Sequence, residues 1–530
     1  MRITSKRALA IYALIGAFLI GVVFLIGSFA VNGETWALKR FNQHLFTGGS
    51  LTSAGTIYDT KGVILAQTKD GERIYNDSRR IRKATLHMVG DTAGYISTGI
   101  HTIFRSELTG YNLVDGVYRL MEDGEGNNIR LTINAELCAT ALDALGDRKG
   151  TVGVYNYKTG EILCMVSSPT YDPERKPTDI DTDKTGKYDG IYLNRFLSGV
   201  YTPGSTFKTI TAISAIDNIP DIFTQKFTCK GKMQTSGGVI YCNEEHGHGT
   251  ITFEQALNRS CNVAFAQIAI QLGAEKLTAT AQQLGFNQAM KMDGINIAIS
   301  KFDLTGADER GLGQAGVGQH TTLANPYHML TIMGAIANGG TPVLPHVVQS
   351  IETPGGLALR KGKAETGEAY LSAGTASKMV ELLRSNTVNF YGDSRFPRGM
   401  QICGKTGTAE VGGDKTPHAW FAGFSQNSET PYAFVVVVEN GALAISRRFR
   451  LPIKCLQRFV QPPNLWRTAM LPIGRQRVVF FVSSRCIGNR LLFYGDLFRF
   501  WIRIPPAFLL TLGSQSFIIV FTWQRFCPKG

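Results

Sequence analysis

The chain has 530 residues, 44% of them hydrophobic and 18% charged, which is enough for more than one domain around a large core and too apolar for a disordered protein. Its formal charge of +14 suggests a nucleic-acid binder until the charge is located: residues 443–530 carry 14 Lys or Arg and one acid, Asp496, leaving 41 basic and 40 acidic residues in 1–442. A nearly neutral body excludes nucleic-acid binding as its function. None of the nine cysteines forms a C-x-x-C pair, so a zinc ribbon or thioredoxin-type site has no support.

Residues 8–33 contain no charged side chain, against the ~20 apolar residues that span a bilayer as a helix. Arg2, Lys6 and Arg7 precede them, which places the N-terminus in the cytoplasm and the body outside. A cleaved signal would end in a small-x-small site, and Ala30-Val31-Asn32 is a poor match, so residues 1–33 are expected to be a short stub and an uncleaved anchor.

Residues 34–133 read as a small strand-rich accessory region. Two short strands flank the turn Asp59-Thr60-Lys61-Gly62, and Arg79, Arg80, Arg82 and Lys83 form a basic cluster expected to be a solvated face. Residues 131–145 then read as a helix, followed by strands over 151–155 and 161–166 paired across a turn. Cys229 and Cys242 flank a segment centred on Gly237-Gly238, the pattern of a hairpin that an oxidising exterior could staple. His246 and His248 lie close behind, but their spacing matches no familiar zinc pattern, and no metal is expected. Gly311-Leu312-Gly313-Gln314-Ala315-Gly316 matches G-x-G-x-x-G by letters, yet follows Asp308-Glu309-Arg310 and not a strand, so it reads as a glycine-rich loop. Helices are expected over 326–337 and 376–385, and closing strands over 421–424 and 433–438.

The chemistry concentrates at Thr202-Pro203-Gly204-Ser205-Thr206-Phe207-Lys208. Pro203 and Gly204 break the preceding chain, and Phe207, Ile210, Ile213 and Ile216 recur at helical spacing, so Lys208 lies one turn beyond Ser205 on the same face. A serine hydroxyl is a poor nucleophile unless a base removes its proton, and burial among apolar residues would hold a lysine deprotonated for that work. Alone, S-x-x-K reads more readily as an N-cap serine and a solvated first-turn lysine, since so short a pattern often arises by chance. Two further motifs follow in order. Ser260-Cys261-Asn262 closes a helix-like segment, whereas the other S-x-N, at Ser425, reads as a polar loop between strands; Lys405-Thr406-Gly407-Thr408 enters a strand-rich stretch, whereas the K-T-G runs at Lys158 and Lys184 lie in a turn and a loop.

The ordered set Ser205-x-x-Lys208, Ser260-x-Asn262, Lys405-Thr406-Gly407 resembles the penicillin-binding protein and serine β-lactamase superfamily. The resemblance spans residues 50–441 approximately, with Thr202-Pro203-Gly204 and the Arg148-Lys149-Gly150-Thr151 entry to the first strand included. It implies an α+β fold: a membrane anchor, a small β-rich accessory domain, and over 134–442 a β-lactamase-like transpeptidase domain with an antiparallel sheet flanked by helices. It implies Ser205 as nucleophile, Lys208 as its base, Ser260 as proton relay, and Asn262 as the group holding Lys208 and the substrate amide. Lys405, Thr406, Gly407 and Thr408 would bind the terminal carboxylate of a D-Ala-D-Ala stem peptide, with the Ser205 and Thr408 backbone N–H groups facing the oxyanion. Peptidoglycan stem peptides are the implied substrate and β-lactams the inhibitors; no cofactor is expected.

Architecture narrows this further. The space between anchor and catalytic region is too short for a glycosyltransferase domain, and no E-x-x-x-N segment of the kind that activates deacylating water lies between Asn262 and Lys405. The expected class is therefore a class B monofunctional D,D-transpeptidase, whose usual partner is a membrane glycan polymerase. A D,D-carboxypeptidase stays open, as does a penicillin-binding sensor or scaffold, although only about seven residues precede the anchor and a sensor should carry a cytoplasmic signalling domain. After Glu439-Asn440-Gly441 a family member should run into a helix covering the sheet. This chain instead turns rich in Arg and Phe, with residues 507–523 uncharged. A frameshifted or misassembled gene end is the leading reading of 443–530, ahead of a membrane-associating basic tail and a true accessory domain; in the first case an apolar face of the sheet would be bared.

Overall fold

The structure, a computed structural model, describes residues 2–37, 51, 54–109, 126–412, 416–441, 483–487, 490–495 and 498–503. The apolar N-terminal stretch forms one helix, α1 (Arg2–Ala37), whose Ile11–Ser28 segment has a mean hydropathy of 2.4 and is long and apolar enough to cross a membrane.

The next region is a strand-rich layer: β1 (Ile57–Tyr58), β2 (Ile64–Lys69), β3 (Glu72–Tyr75), the helices α2 (Arg79–Val89), α3 (Ile100–Ile103) and α4 (Arg105–Thr109), and β4 (Asn128–Leu131). Asp59 shapes the turn between β1 and β2 by accepting from the Lys61 and Val63 backbone N–H groups. The helix expected from residue 131 begins later, at α5 (Ala135–Leu145), because Asn134 caps it by accepting from Leu137 N, and Leu131 ends a strand. The basic cluster is a solvated face only in part: Arg79 is exposed, but Arg80 and Arg82 are drawn into ion pairs. Arg82 is buried and pairs with both carboxylate oxygens of Asp172 at 2.7 Å, while Arg80 reaches Glu136 and Asp143 at 2.7 Å each. These arginines fasten α2 to α5 and to the loop after the second core strand.

The catalytic region continues with β5 (Gly150–Asn156), β6 (Ile162–Ser168), α6 (Arg195–Ser198) and α7 (Lys208–Asn218). Four short strands follow, β7 (Lys226–Cys229), β8 (Lys232–Thr235), β9 (Gly238–Tyr241) and β10 (Gly249–Thr252), then α8 (Phe253–Asn258) and α9 (Asn262–Gln283, broken at Gly273). A small hairpin, β11 (Met290–Met292) and β12 (Ile295–Ile297), leads to α10 (Glu309–Gly316), α11 (Pro326–Ala337), the pair β13 (Val348–Glu352) and β14 (Ala358–Lys361), and α12 (Ala373–Asn386). Three long strands close the region: β15 (Ile402–Ala409), β16 (His418–Ser425) and β17 (Tyr432–Val438).

The central sheet is antiparallel throughout, in the order β15-β16-β17-β5-β6. Helix α11 packs along β5, β16 and β17, close enough that Gly334 leaves room for the Tyr155 ring, while α5 lies on β6. A second, six-stranded sheet in the order β14-β13-β4-β1-β2-β3 draws β13 and β14 from far along the chain, a pairing with no local sequence signal. Gly311–Gly316 is not a loop: it is helix α10, capped by Asp308, and its glycines let it approach α9, since a Cβ on Gly316 would lie 2.3 Å from that of Ala269. Ser425 likewise ends strand β16 and is buried.

Residues 442–482, where a covering helix is expected, and residues 507–523 lie outside the described residues. On β17, Phe434, Val436 and Val438 are buried. A separate unit over Pro463–Gly530 contains an antiparallel meander of β18 (Ser483–Ile487), β19 (Arg490–Gly495) and β20 (Phe498–Arg503).

Candidate active site

Ser205 sits in a 3-10 turn, Gly204–Thr206, that leads into α7, and is partly exposed, whereas Lys208 is completely buried. The turn is anchored from behind. Phe207 is buried, stacked on Phe302 and edge-on to Phe286; Thr206 Oγ1 donates to Pro203 O at 2.8 Å and Gly204 N to Gly318 O at 2.9 Å. Gly204 has φ +53°, and a Cβ there would meet the Thr408 carbonyl oxygen at 2.3 Å. Glycine is thus required for the Ser205 turn to lie against β15, and Gly407 permits the same approach from the other side, where a Cβ would lie 2.5 Å from Pro203 O.

Ser260 follows α8 with φ +53°, a left-handed conformation unusual for serine, and Asn262 begins α9 one residue after the Cys261 cap. This sharp reversal turns both side chains toward Lys208. Lys208 Nζ lies 2.6 Å from Ser260 O, 2.7 Å from Asn262 Oδ1, 3.1 Å from Ser205 Oγ and 3.2 Å from Ser260 Oγ. Asn262 Nδ2 donates to Tyr241 O at 3.2 Å, which fixes its oxygen toward the lysine. A neutral amine has two N–H bonds and one lone pair. The carbonyl and Oδ1 can only accept, so they take both N–H bonds, and the lone pair is left for the two hydroxyls. Burial holds Lys208 well below its ordinary value of 10.5, and the nearby charge of Lys405 pushes it the same way.

Lys405 projects from β15 and is also fully buried; its Nζ donates to Ser260 Oγ at 3.0 Å and to Thr406 O at 3.2 Å. Desolvation lowers it to about 7. Ser260 Oγ therefore bridges the two lysines. Thr406 is held from outside the motif by Tyr391, whose hydroxyl lies 2.8 Å from Thr406 Oγ1 and accepts from Thr406 N at 2.9 Å. Thr408 is exposed at the mouth. All eight sequence candidates, Ser205, Lys208, Ser260, Asn262, Lys405, Thr406, Gly407 and Thr408, thus fall in one locus. Sequence reading did not anticipate Tyr391, the Tyr241 carbonyl, or the pair of buried Arg195 and half-buried Glu439, 2.8 Å apart, whose carboxylate also accepts from Tyr201 OH at 2.9 Å and which ties α6 to the end of β17. An isolated Tyr or Glu carries no motif that would have marked it.

Ser205 Oγ, Lys208 Nζ, Ser260 Oγ and Lys405 Nζ form a continuous hydrogen-bonded line, an arrangement suited to acyl transfer. Residues 150–452, more than half of the chain, match the model of the penicillin-binding protein transpeptidase domain. The chain belongs to that family. Among curated members, the peptidoglycan D,D-transpeptidase PbpA of Mycobacterium tuberculosis is 30% identical over 344 residues, covering 61% of this chain and 70% of PbpA. Among solved structures, penicillin-binding protein A of M. tuberculosis in its penicillin G acyl-enzyme complex superposes with a TM-score of 0.64 at 26% identity, over 74% of this chain and 94% of that one. Its imipenem acyl-enzyme complex gives 0.68 at 25% identity, over 78% and 99%. As a transpeptidase-family domain, the fold is α+β with an antiparallel sheet between helices, as the resemblance implied.

The expected hairpin around Gly237-Gly238 is present as β8 and β9. Cys229 and Cys242, however, are both free thiols, and each lies near Cys261 and His248. The sequence reading that dismissed a metal here weighed His246 and His248 by spacing alone. It missed Cys261, which comes from the S-x-N segment.

Proposed function

We propose that this chain is a peptidoglycan D,D-transpeptidase that forms its acyl-enzyme on Ser205, with a stem peptide as substrate or a penicillin as inhibitor. The observation that carries the reading is the completely buried Lys208 amine, 3.1 Å from Ser205 Oγ and 2.6 and 2.7 Å from two acceptor oxygens, where burial favours its neutral form. Ser205 Oγ attacks the carbonyl of the penultimate D-alanine, and its proton passes to Lys208 Nζ. The oxyanion is met by the Ser205 and Thr408 backbone N–H groups. As the C–N bond breaks, the departing D-alanine amine takes the proton from Lys208 through Ser260 Oγ. A stem-peptide amine then attacks the ester, the proton route runs in reverse, and Ser205 is regenerated. Lys405, with the Thr406 and Thr408 hydroxyls, binds the terminal carboxylate, which stabilises the charged lysine at a site where burial alone opposes it. Gly407 provides the close fit of this strand to the Ser205 turn.

The same reading takes residues 1–33 as stub and anchor, with Arg2, Lys6 and Arg7 on the cytoplasmic side and the body outside, 34–133 as the accessory region and 134–442 as the transpeptidase region. A membrane glycan polymerase is its partner. Residues 443–530 are a displaced reading frame, which the nucleotide sequence around codon 442 tests directly. For the activity, detergent-solubilised chain is incubated with a fluorescent penicillin and resolved on a denaturing gel. Wild type is expected to label and Ser205→Ala to remain dark; a folded wild type that takes no label contradicts the proposal.

A further inference from the structure

Among the described residues, a cavity of about 420 Å³ opens in the loop that leads from β6 to α6, and the steps proposed at Ser205 make no use of it. Its floor is apolar: Ile180 and Ile191 are buried and pack with Leu86, Ile96 and Tyr171 in a cluster separate from the main core. Tyr188, Tyr192 and the exposed Leu193 form its walls, with exposed Asp181 at the rim. The rings are held before any ligand arrives. Tyr192 is stacked on Tyr95 with centroids 5.0 Å apart and meets Tyr171 edge-on at 6.0 Å. Tyr188 OH donates to Asp179 Oδ1 at 3.0 Å and accepts from Lys187 Nζ at 2.7 Å. Lys176 and Lys187 already sit over the Tyr95 and Tyr188 rings, at 3.7 and 4.4 Å, and Asp181 repels anions, so the cavity favours a neutral ligand. Fixed tyrosine rings, an apolar floor and one carboxylate suit an N-acetylated sugar. Its C–H faces lie on the rings, its acetyl methyl reaches the isoleucines, and a hydroxyl donates to Asp181.

We propose that this cavity is a subsite for the glycan strand that carries the stem peptide; the identity of its occupant rests on the transpeptidase reading of Ser205. The distance between the two places fits a tethered substrate. Thr408, against which the Ser205 turn lies, pairs with Ala419, Ala419 with Val438, Val438 with Gly150 and Gly150 with Ser168. Four strand spacings of ~4.8 Å put the Ser168 end of β6 about 19 Å from Thr408. The cavity adjoins that end: Arg195 N donates to Ser167 Oγ at 2.9 Å, and Tyr171, three residues past Ser168, supports Tyr192. The scissile carbonyl is one residue from the end of the stem, so about four extended residues at ~3.3–3.6 Å each, with the ether link to the sugar, reach roughly 17 Å. The loop is also fastened to the nucleophile segment. Arg195 Nη1 and Nη2 donate to the Gly190 and Asp189 carbonyls at 2.6 and 2.9 Å, and its Nε to Glu439 Oε1 at 2.8 Å, the oxygen that accepts from Tyr201 OH. Gly190 has φ +65°, and a Cβ there would lie 2.9 Å from Arg195 Nη2, so glycine lets the loop close on this arginine. The subsite therefore keeps its place relative to Ser205.

Two substrates test this with the full chain in detergent: a stem peptide linked to a short strand of alternating N-acetylglucosamine and N-acetylmuramic acid, and the same peptide free. Each acylation rate at limiting substrate is divided by the same protein's rate with penicillin G, which carries no sugar, so that a general loss of folded protein cancels. Wild type should prefer the glycan-linked stem by about tenfold or more. Tyr192→Ala should bring that preference close to one. Asp181→Ala, at an exposed side chain, should cut it about threefold. A stem-free strand of the same sugars, titrated by calorimetry, should bind wild type and not Tyr192→Ala. Equal rates with the two substrates in wild type, a preference that both variants keep, or no glycan binding by natively folded wild type would each overturn the subsite. Tyr192-dependent glycan binding by a wild type that takes no penicillin label would support the subsite and count against the transpeptidase reading instead.

Discussion

At the scale of single residues, the proposed mechanism needs two buried lysines in different protonation states within reach of one serine hydroxyl. Lys208 must be neutral to accept the Ser205 proton, and Lys405 must be charged to bind a carboxylate. With Lys208 well below 10.5 and Lys405 at about 7, the second-order rate of penicillin acylation should rise with pH through the Lys208 titration and fall above about 7 as Lys405 loses its proton. Acylation rates from about pH 5 to about pH 10 check this, and a flat profile contradicts it. The same shift sets a stability trend. Lys405 has a folded value below its unfolded value, so the unfolded chain binds more protons between about 7 and 10.5, and stability rises with pH across that window. Lys405→Met should therefore raise the melting temperature near neutrality, by an amount that shrinks as pH approaches 10.5, while abolishing carboxylate binding. Tyr391→Phe removes the hydroxyl that holds Thr406 and should cost about 1–2 kcal/mol of stability, read from denaturant midpoints, with a weaker substrate KM.

At the scale of elements, catalysis requires that β15, the Ser205 turn and the start of α9 meet without side chains intervening. Gly407→Ala tests this directly. Its Cβ would lie 2.5 Å from Pro203 O, so the strand must retreat from the turn; acylation should fall by about 10²-fold while the circular dichroism spectrum stays native. The motif residues were legible in sequence because each motif is contiguous and its spacing is fixed by one local element. Lys208 is one helical turn from Ser205, and Ser260 and Asn262 flank a single helix cap. What sequence did not reveal was assembled over distance. The β13–β4 pairing joins residues more than two hundred positions apart, and the Cys229, Cys242, His248 and Cys261 cluster draws on three segments, so no spacing rule applied to it. Gly311–Gly316 was misread because glycine disfavours helices; here it is kept for the close approach of α10 to α9, a cause visible only in packing.

At the scale of the whole molecule, the neutral body and the basic tail have different origins in our reading, and their stabilities should reflect it. The tail, with 14 basic residues against one acid, follows a strand whose family expectation is a covering helix. Three chains compare these states: the full chain, one ending at Gly441, and one in which an amphipathic helix replaces residues 443–530. The last should melt highest, by several degrees, and equal melting temperatures in all three would show that the sheet needs no such cover. The Arg195–Glu439 pair lies just before the junction, so Glu439→Ala, which takes the carboxylate from a buried guanidinium that keeps only the Gly190 and Asp189 carbonyls, should cost about 1.5–3 kcal/mol and destabilise the same end of the sheet.

The central claim is that Ser205 is the acylated nucleophile. Mass spectrometry of penicillin G-treated protein, intact and after proteolysis, tests it most directly. One penicilloyl adduct per chain, mapped to Ser205 and absent from Lys208→Ala on the same timescale, is the predicted result. An adduct on Ser260 or elsewhere, or none on a natively folded chain, would contradict it.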